Sequence, residues 1–114
     1  MPPVKNPLGL NGLQLRTLTI LQALAEAAPG PLDEASGEML LDGLPHAHGD
    51  HFHVGPRVVS GRDASGLANR AVWSALERKG LARTLAFPHA IALTAAGRGY
   101  DTGLRDAILH GHDH

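Results

Sequence analysis

No cysteine occurs anywhere in these 114 residues, so neither a disulfide framework nor a thiolate zinc site can staple the chain. Its stability has to come from packing. A hydrophobic share of 43% is enough for one core, and the length is too short for two domains of ordinary size. One compact domain is therefore expected. The opening Met1-Pro2-Pro3-Val4-Lys5-Asn6-Pro7 lacks the charged and apolar regions of a signal peptide, and no apolar run is long enough to span a bilayer. A cytoplasmic protein with no membrane partner is the expectation.

The formal net charge of −1 argues against a nonspecific polycation. The total conceals a segregation along the chain. Residues 1–50 hold two basic and six acidic side chains, residues 51–100 seven basic and two acidic, and residues 101–114 one basic and three acidic. The middle segment, at net +5, is the part suited to a phosphate backbone.

Residues 1–10 carry three prolines and no periodic pattern, and read as an extended N-terminal arm. Asn11 followed three residues later by Gln14 spells a capping box. Leu13, Ile20, Leu21 and Leu24 then recur at helical spacing until Pro29-Gly30-Pro31, which predicts a helix over 12–28. Leu15 and Leu18 widen its apolar stripe beyond what packing against one small domain requires, and the excess points to a subunit interface. Asp33 is suited to cap a second helix over 33–43, with Glu34 and Glu38 near its positive end and Gly43 and Pro45 beyond it. Residues 45–55 read as a polar loop whose end, through Phe52 and Val54, alternates enough for a short strand.

Pro56 suits the first position of a short helix over 56–60, and Gly61 allows a tight turn before Ser65 caps a helix over 66–79. That helix carries Leu67, Ala71, Val72, Ala75 and Leu76 on one side. It ends in Arg78-Lys79-Gly80, cations at the negative end of the dipole with glycine after them. Trp73, next to the stripe, reads as a packing residue. Residues 81–86 and 90–93 flank Phe87-Pro88-His89 as a small hairpin. Thr94 caps a last predicted helix over 95–109, with Tyr100, Leu104, Ala107 and Ile108 on one face. Glycines 97, 99 and 103 each weaken it by about 1 kcal/mol relative to alanine, so it needs tertiary or subunit contacts.

The stretch from Arg57 to Arg98 resembles the DNA-binding lobe of winged helix-turn-helix regulators of the MarR family. The matching elements are Val58-Val59, Ser65 as a cap, Leu76-Glu77-Arg78-Lys79-Gly80-Leu81 entering the hairpin, and Ile91-Ala92-Leu93-Thr94-Ala95-Ala96-Gly97 leaving it. The resemblance implies an α-rich α+β fold, a winged helix-turn-helix with a short β-hairpin wing and flanking helices at both termini. Residues 1–10 would be the arm, 11–110 the domain and 111–114 a histidine-rich tail. It implies a non-enzymatic transcriptional regulator, a repressor by preference, that binds double-stranded DNA as a homodimer with an unidentified effector. The helix over 66–79 would enter the major groove and turn Ser65, Gly66, Ala68, Asn69 and Arg70 toward it. Arginine suits guanine and asparagine suits adenine. Arg57, Arg62 and Arg83 would contact phosphates, and His89 would lie at the wing. Leu15, Leu18, Tyr100, Leu104 and Ile108 would form the dimer interface. Two departures stand out: the hairpin connection is short and lacks an arginine for the minor groove, and Arg62 stands where a leucine normally packs. A winged-helix protein-interaction module, docking through the apolar face of helix 1, is the competing class.

Eight histidines are many for this length, and four crowd into His46, His48, His51 and His53, around Asp50. His46-Ala47-His48-Gly49-Asp50-His51 matches the H-x-H-x-D-H signature of metallo-β-lactamase-like hydrolases, which hold zinc. That fold needs roughly twice this length and ligands from several later loops, and the glycine-histidine segments that would supply them are missing. A non-enzymatic zinc or nickel site on His46, His48, Asp50, His51 and His53 suits the pattern better, and would make a metal-responsive regulator. A solvated histidine-rich loop binding metal only loosely is the plain alternative. No cofactor is otherwise required, and no other nucleophile or phosphate-cradling motif is present.

Overall fold

A computed structural model of the protein describes residues 6–111. It is an α+β fold in which, among the described residues, four α-helices surround and support two antiparallel sheets. Helix α1 (Gly12–Ala27) opens on the expected capping box: Gln14 N–H donates to Asn11 Oδ1 at 2.8 Å, and Asn11 N–H donates to Gln14 Oε1 at 3.0 Å. Every residue from Thr17 to Ala25 is buried, so α1 is a central helix packed on all sides. Its buried Thr17, Thr19 and Gln22 are hydrogen-bonded inside the chain. Thr19 donates to Leu15 O, and Gln22 Nε2 donates to the carbonyls of Gly97 and Tyr100 at 2.8 and 2.7 Å. The width of its apolar face, read from sequence as a subunit interface, is used within the chain. Leu18 is 0% exposed and Ile108 4%, while Leu15, Tyr100 and Leu104 are half-buried.

The helix predicted over 33–43 is not formed. Asp33 instead accepts the N–H of Ala35 on its side chain at 3.0 Å and that of Gly37 on its carbonyl at 2.7 Å, the local turn chemistry that competes with a helix cap. Leu32 pairs with Met39 across this turn, and β1 (Met39–Leu41) follows. An apolar triplet is too short to show a period. It pairs in register with Leu93, Ala92 and Ile91 of a later strand.

Residues 45–55, expected as a loop with a short strand, form a hairpin of β2 (Ala47–His48) and β3 (His51–Val54). The helix predicted over 56–60 is β4 (Arg57–Ser60), paired with β3 from His51↔Ser60 to Val54↔Arg57. Two-residue connections join these strands, and each begins with a glycine at left-handed φ, Gly49 at +66° and Gly55 at +60°. Glycine first is the preference of type II′ hairpin turns, and the fixed φ of Pro56 fits the position after it as well as it fits a helix start.

The predicted helix over 66–79 is two pieces. A single 3-10 turn covers Ser65–Ala68, and α2 (Arg70–Arg78) begins after Asn69. Strands β5 (Ala82–Ala86) and β6 (Ala90–Leu93) make the predicted hairpin, with a register shift between Thr84 and Ala86. The last predicted helix, 95–109, breaks into α3 (Ala95–Gly99) and α4 (Arg105–Ile108), because Tyr100 has extended backbone and turns the chain so that Gln22 can reach its carbonyl. A two-residue strand, β7 (His110–Gly111), closes the chain against β4.

The sheets run β1-β6-β5 and β2-β3-β4-β7. Trp73, Leu76, Leu81, Ile91 and Leu93 are buried with α1 in one core that also takes Val54 and Val59 from the second sheet. The described part of the N-terminal arm is fastened rather than loose: Tyr100 Oη donates to Asn6 Oδ1 at 2.5 Å and Lys79 Nζ to Leu8 O at 2.7 Å. Residues 1–5 of the arm and 112–114 of the tail lie outside the described residues. Among the described residues no helix is long and apolar enough to cross a membrane.

Candidate nucleic-acid interface

Helix α2 is amphipathic in a way its sequence dictates. Val72, Trp73, Ala75 and Leu76 are buried, and Arg70, Ala71, Ser74, Glu77 and Arg78 are exposed. Its N-cap is Asn69, whose Oδ1 accepts the N–H groups of Ala71 at 3.0 Å and Val72 at 3.3 Å. Ser65, expected to cap, sits four residues too early. Its hydroxyl donates to Arg62 O at 3.1 Å within the 3-10 turn. The adenine-reading role expected of Asn69 is corrected accordingly: its carbonyl oxygen is committed to the helix.

Trp73 holds the underside of the helix, its Nε1–H donating to Leu67 O at 3.2 Å. Phe87, at the tip of the β5–β6 hairpin, packs edge-to-face on Trp73 with centroids 4.8 Å apart. The Arg70 guanidinium carbon lies 4.4 Å over the Phe87 ring. A cation–π contact at an exposed site is worth about 0.5–1 kcal/mol, enough to bias the arginine toward one orientation. The hairpin tip is thus folded onto the first turn of α2. A cleft of 410 Å³ between Arg70, Ser74, Arg78, Thr84 and Phe87 runs along this face. Glu77 on its margin accepts the Thr84 N–H at 2.8 Å, which ties helix to strand.

The other expected contacts divide. Arg62, Ser65 and Ala68 are exposed on the segment entering α2, and His89 is exposed at the hairpin tip. Arg57 is exposed on β4 in the second sheet, its Nη1 3.5 Å from Leu109 O, and is not on the α2 face. Arg83, expected at a phosphate, is paired: it donates to Glu38 from Nε at 3.3 and 3.0 Å and from Nη2 at 2.7 Å. The pair holds the Glu38 carboxyl below its ordinary value, through the Arg83 hydrogen bonds first, and raises Arg83 correspondingly. Asp33 is lowered as well, by the Ala35 N–H first and the Ser36 hydroxyl second. Arg16 and Arg105 are paired too, with Asp63 and Glu26. Arg57, Arg62, Arg70, Arg78, Lys79 and Arg98 form no ion pair among the described residues.

Three residues of this face, Ser74, Arg78 and Phe87, escaped the sequence reading as site residues. Ser74 and Arg78 extend the Arg70 stripe at i+4 and i+8, a spacing visible in the sequence once the helix is known to begin at Arg70. Phe87 carries no comparable signal, since nothing in a hairpin's spelling says that its tip folds back.

The five residues of the expected metal cluster do not stay together. His46 lines a separate, mainly apolar pocket of 340 Å³ with Leu44, Phe52, Leu67 and His89. His48, His51 and His53 share one face of the β2–β3 hairpin, and Asp50 Oδ1 is 3.4 Å from His51 Nδ1 at the turn.

Comparison with known protein families, with characterised proteins and with solved structures finds no match to this chain.

Proposed function

We propose that the protein is a regulator of transcription that binds double-stranded DNA through the solvent face of α2. The observation that carries the reading is the unpaired basic stripe of Arg70 and Arg78 around Ser74, on a helix whose other face is locked into the core, with Arg70 seated on Phe87. The order of elements supports it. α1, β1, α2 and the β5–β6 hairpin come in that order along the chain, with β2–β4 and the 3-10 turn between β1 and α2 and with β1 paired to β6, an order that resembles that of a winged helix. The first helix of a helix-turn-helix is replaced here by β2, β3, β4 and the 3-10 turn, so α2 acts as a lone reading helix. The competing reading, docking through the apolar face of helix 1, loses its surface because Leu18, Ile20, Leu21 and Leu24 are in the core.

In this reading Arg70 leads at the helix N-terminus, where a guanidinium reaches guanine O6 and N7 or a phosphate. Arg62 and Arg78 neutralise phosphates on either side, and the short hairpin braces Arg70 in place of entering the minor groove. Occupancy of a promoter would exclude polymerase.

The test is fluorescence anisotropy with duplex DNA from the region upstream of the protein's own coding sequence. Three phosphate neutralisations give a slope of log K against log salt of about −2.7, so raising salt from about 50 to about 200 mM weakens binding about 40-fold. Arg70→Ala is expected to lose sequence preference, and Phe87→Leu to weaken binding less. Binding by neither protein at low salt, or binding indifferent to salt and to Arg70, would overturn the proposal. The same titration reads how many copies occupy a duplex.

A further inference from the structure

The second sheet presents an outer face of histidines. Directly paired residues of an antiparallel sheet share a face, and the register pairs His48 with His51, His51 with Ser60, His53 with Val58, and Val58 with His110. The Phe52 and Val59 pair is on the reverse, where Val59 is buried in the core. His110 stands two strands away from His53, about 10 Å. The other three are in mutual ring contact. Centroids are 4.9 Å apart for His51 and His53, 5.2 Å for His48 and His53, and 6.3 Å for His48 and His51.

We propose that His48, His51 and His53 form a binding site for a divalent transition-metal ion of the zinc or nickel type, with solvent completing the coordination shell. What carries this is the strand register, which sets three imidazoles on one face in mutual ring contact. A metal–nitrogen bond of about 2.1 Å places an imidazole centroid about 3.2 Å from the ion, so three tetrahedral ligands have centroids about 5.2 Å apart. Two of the three observed spacings match that value, and the third is about 1 Å wide. As they stand, no three His, Cys, Asp or Glu side chains among the described residues are arranged to hold an ion. The His48 and His51 rings lie near parallel, at 25°, and must turn inward toward His53. The backbone that carries them need not move, because the strand register already sets the three positions on one face. Turning an exposed or half-exposed ring is a change of side-chain torsion alone.

Asp50 supplies an orienting contact. A bond from His51 Nδ1–H to the Asp50 carboxylate, the two atoms being 3.4 Å apart before the ring turns, would leave Nε2 to bind the ion. Asp50 is thus a positioning residue. His46, in the apolar pocket, is outside the site.

The experiment is isothermal titration of the full chain with zinc and with nickel at about pH 7.5, followed by cobalt substitution with visible spectroscopy. One equivalent is expected. His48→Ala, His51→Ala and His53→Ala should each weaken it at least about tenfold, and Asp50→Asn about tenfold. His46→Ala and the double variant His112→Ala/His114→Ala should keep it. Weak heats without a stoichiometry, or loss in the tail variant with retention in the three hairpin variants, would overturn the site. No DNA is present in this titration, so its outcome is independent of the DNA-binding proposal.

Discussion

Asn69 separates two roles that the sequence alone confounds, helix capping and base reading, and substituting it three ways tells them apart. Asn69→Ala removes the acceptor of two N–H groups, those of Ala71 and Val72. Ala71 is exposed, so water takes over there, and the Val72 N–H keeps its bond to the Asn69 backbone carbonyl at 3.1 Å. The loss therefore belongs in the lower half of the range for caps, about 1 kcal/mol. Helix α2 has nine residues, below the length at which a helix stands without help, so the cost is felt in the global transition. For a chain of this size it lowers the melting temperature by about 4 °C and the urea midpoint by about 0.5–1 M. The only tryptophan, Trp73, lies on α2 itself and reports the unfolding by its fluorescence. Asn69→Ser keeps an acceptor in place and should restore the midpoint while leaving DNA affinity near wild type, because the amide is not the reading group. Asn69→Asp should match or exceed wild-type stability, since a carboxylate also favours the helix N-terminus, yet weaken DNA binding by repulsion. An unchanged midpoint in Asn69→Ala, or a serine variant as unstable as the alanine one, would refute the capping argument.

The two hairpin glycines give a second comparison. A Cβ at Gly55 would lie 2.4 Å from the Cβ of Ala27, whereas one at Gly49 meets nothing within 4 Å, though both have positive φ. Gly49→Ala should cost about 1–2 kcal/mol of backbone strain, and Gly55→Ala clearly more, read as a difference in urea midpoints. The third prediction concerns acid. The folded protein holds Glu38 and Asp33 below their unfolded values, so their contribution is complete above about pH 4.5 and fades as pH falls through the folded-state values. Glu38→Gln should flatten the acid limb of a melting-temperature profile below about pH 4.5. A limb of unchanged slope would mean that the Arg83 pair does not link folding to protons.

Legibility in the sequence followed the range of the interaction that decides each element. Asn11 and Gln14 settle the start of α1 between themselves, and the hairpin around Phe87 was likewise placed within a residue at each end. The errors fall where a local signal has two structural meanings. Asp33 is as good at making a turn as at capping a helix, and the choice was made by Leu93, Ala92 and Ile91, the partners waiting for Met39–Leu41 fifty residues later. Pro56 suits a helix start and the second place of a hairpin turn alike. Gly55 before it, with Phe52, Val54 and Val59 at alternating positions, points to strands, whereas the resemblance to a helix-turn-helix points to a helix.

The site was half legible for a related reason. Residue type pointed correctly to an arginine at position 70 on an exposed helix face, but whether a given arginine is free depends on which carboxylate the fold brings to it. Glu38 and Arg83 are forty-five positions apart and belong to segments of opposite charge, so a sum over residues 51–100 counts Arg83 as unpaired when it is not. The same folding that pairs Arg83 leaves Arg70 and Arg78 without an ion pair among the described residues, on the exposed face of one helix. It also sorts the histidines, through a two-residue turn that sets His48 opposite His51 and sends His46 elsewhere. A cluster in sequence thus becomes a triad on one surface and a single ring in a pocket. The chemistry to test is that of the triad, because its three imidazoles lie on one face of the hairpin and in ring contact with one another.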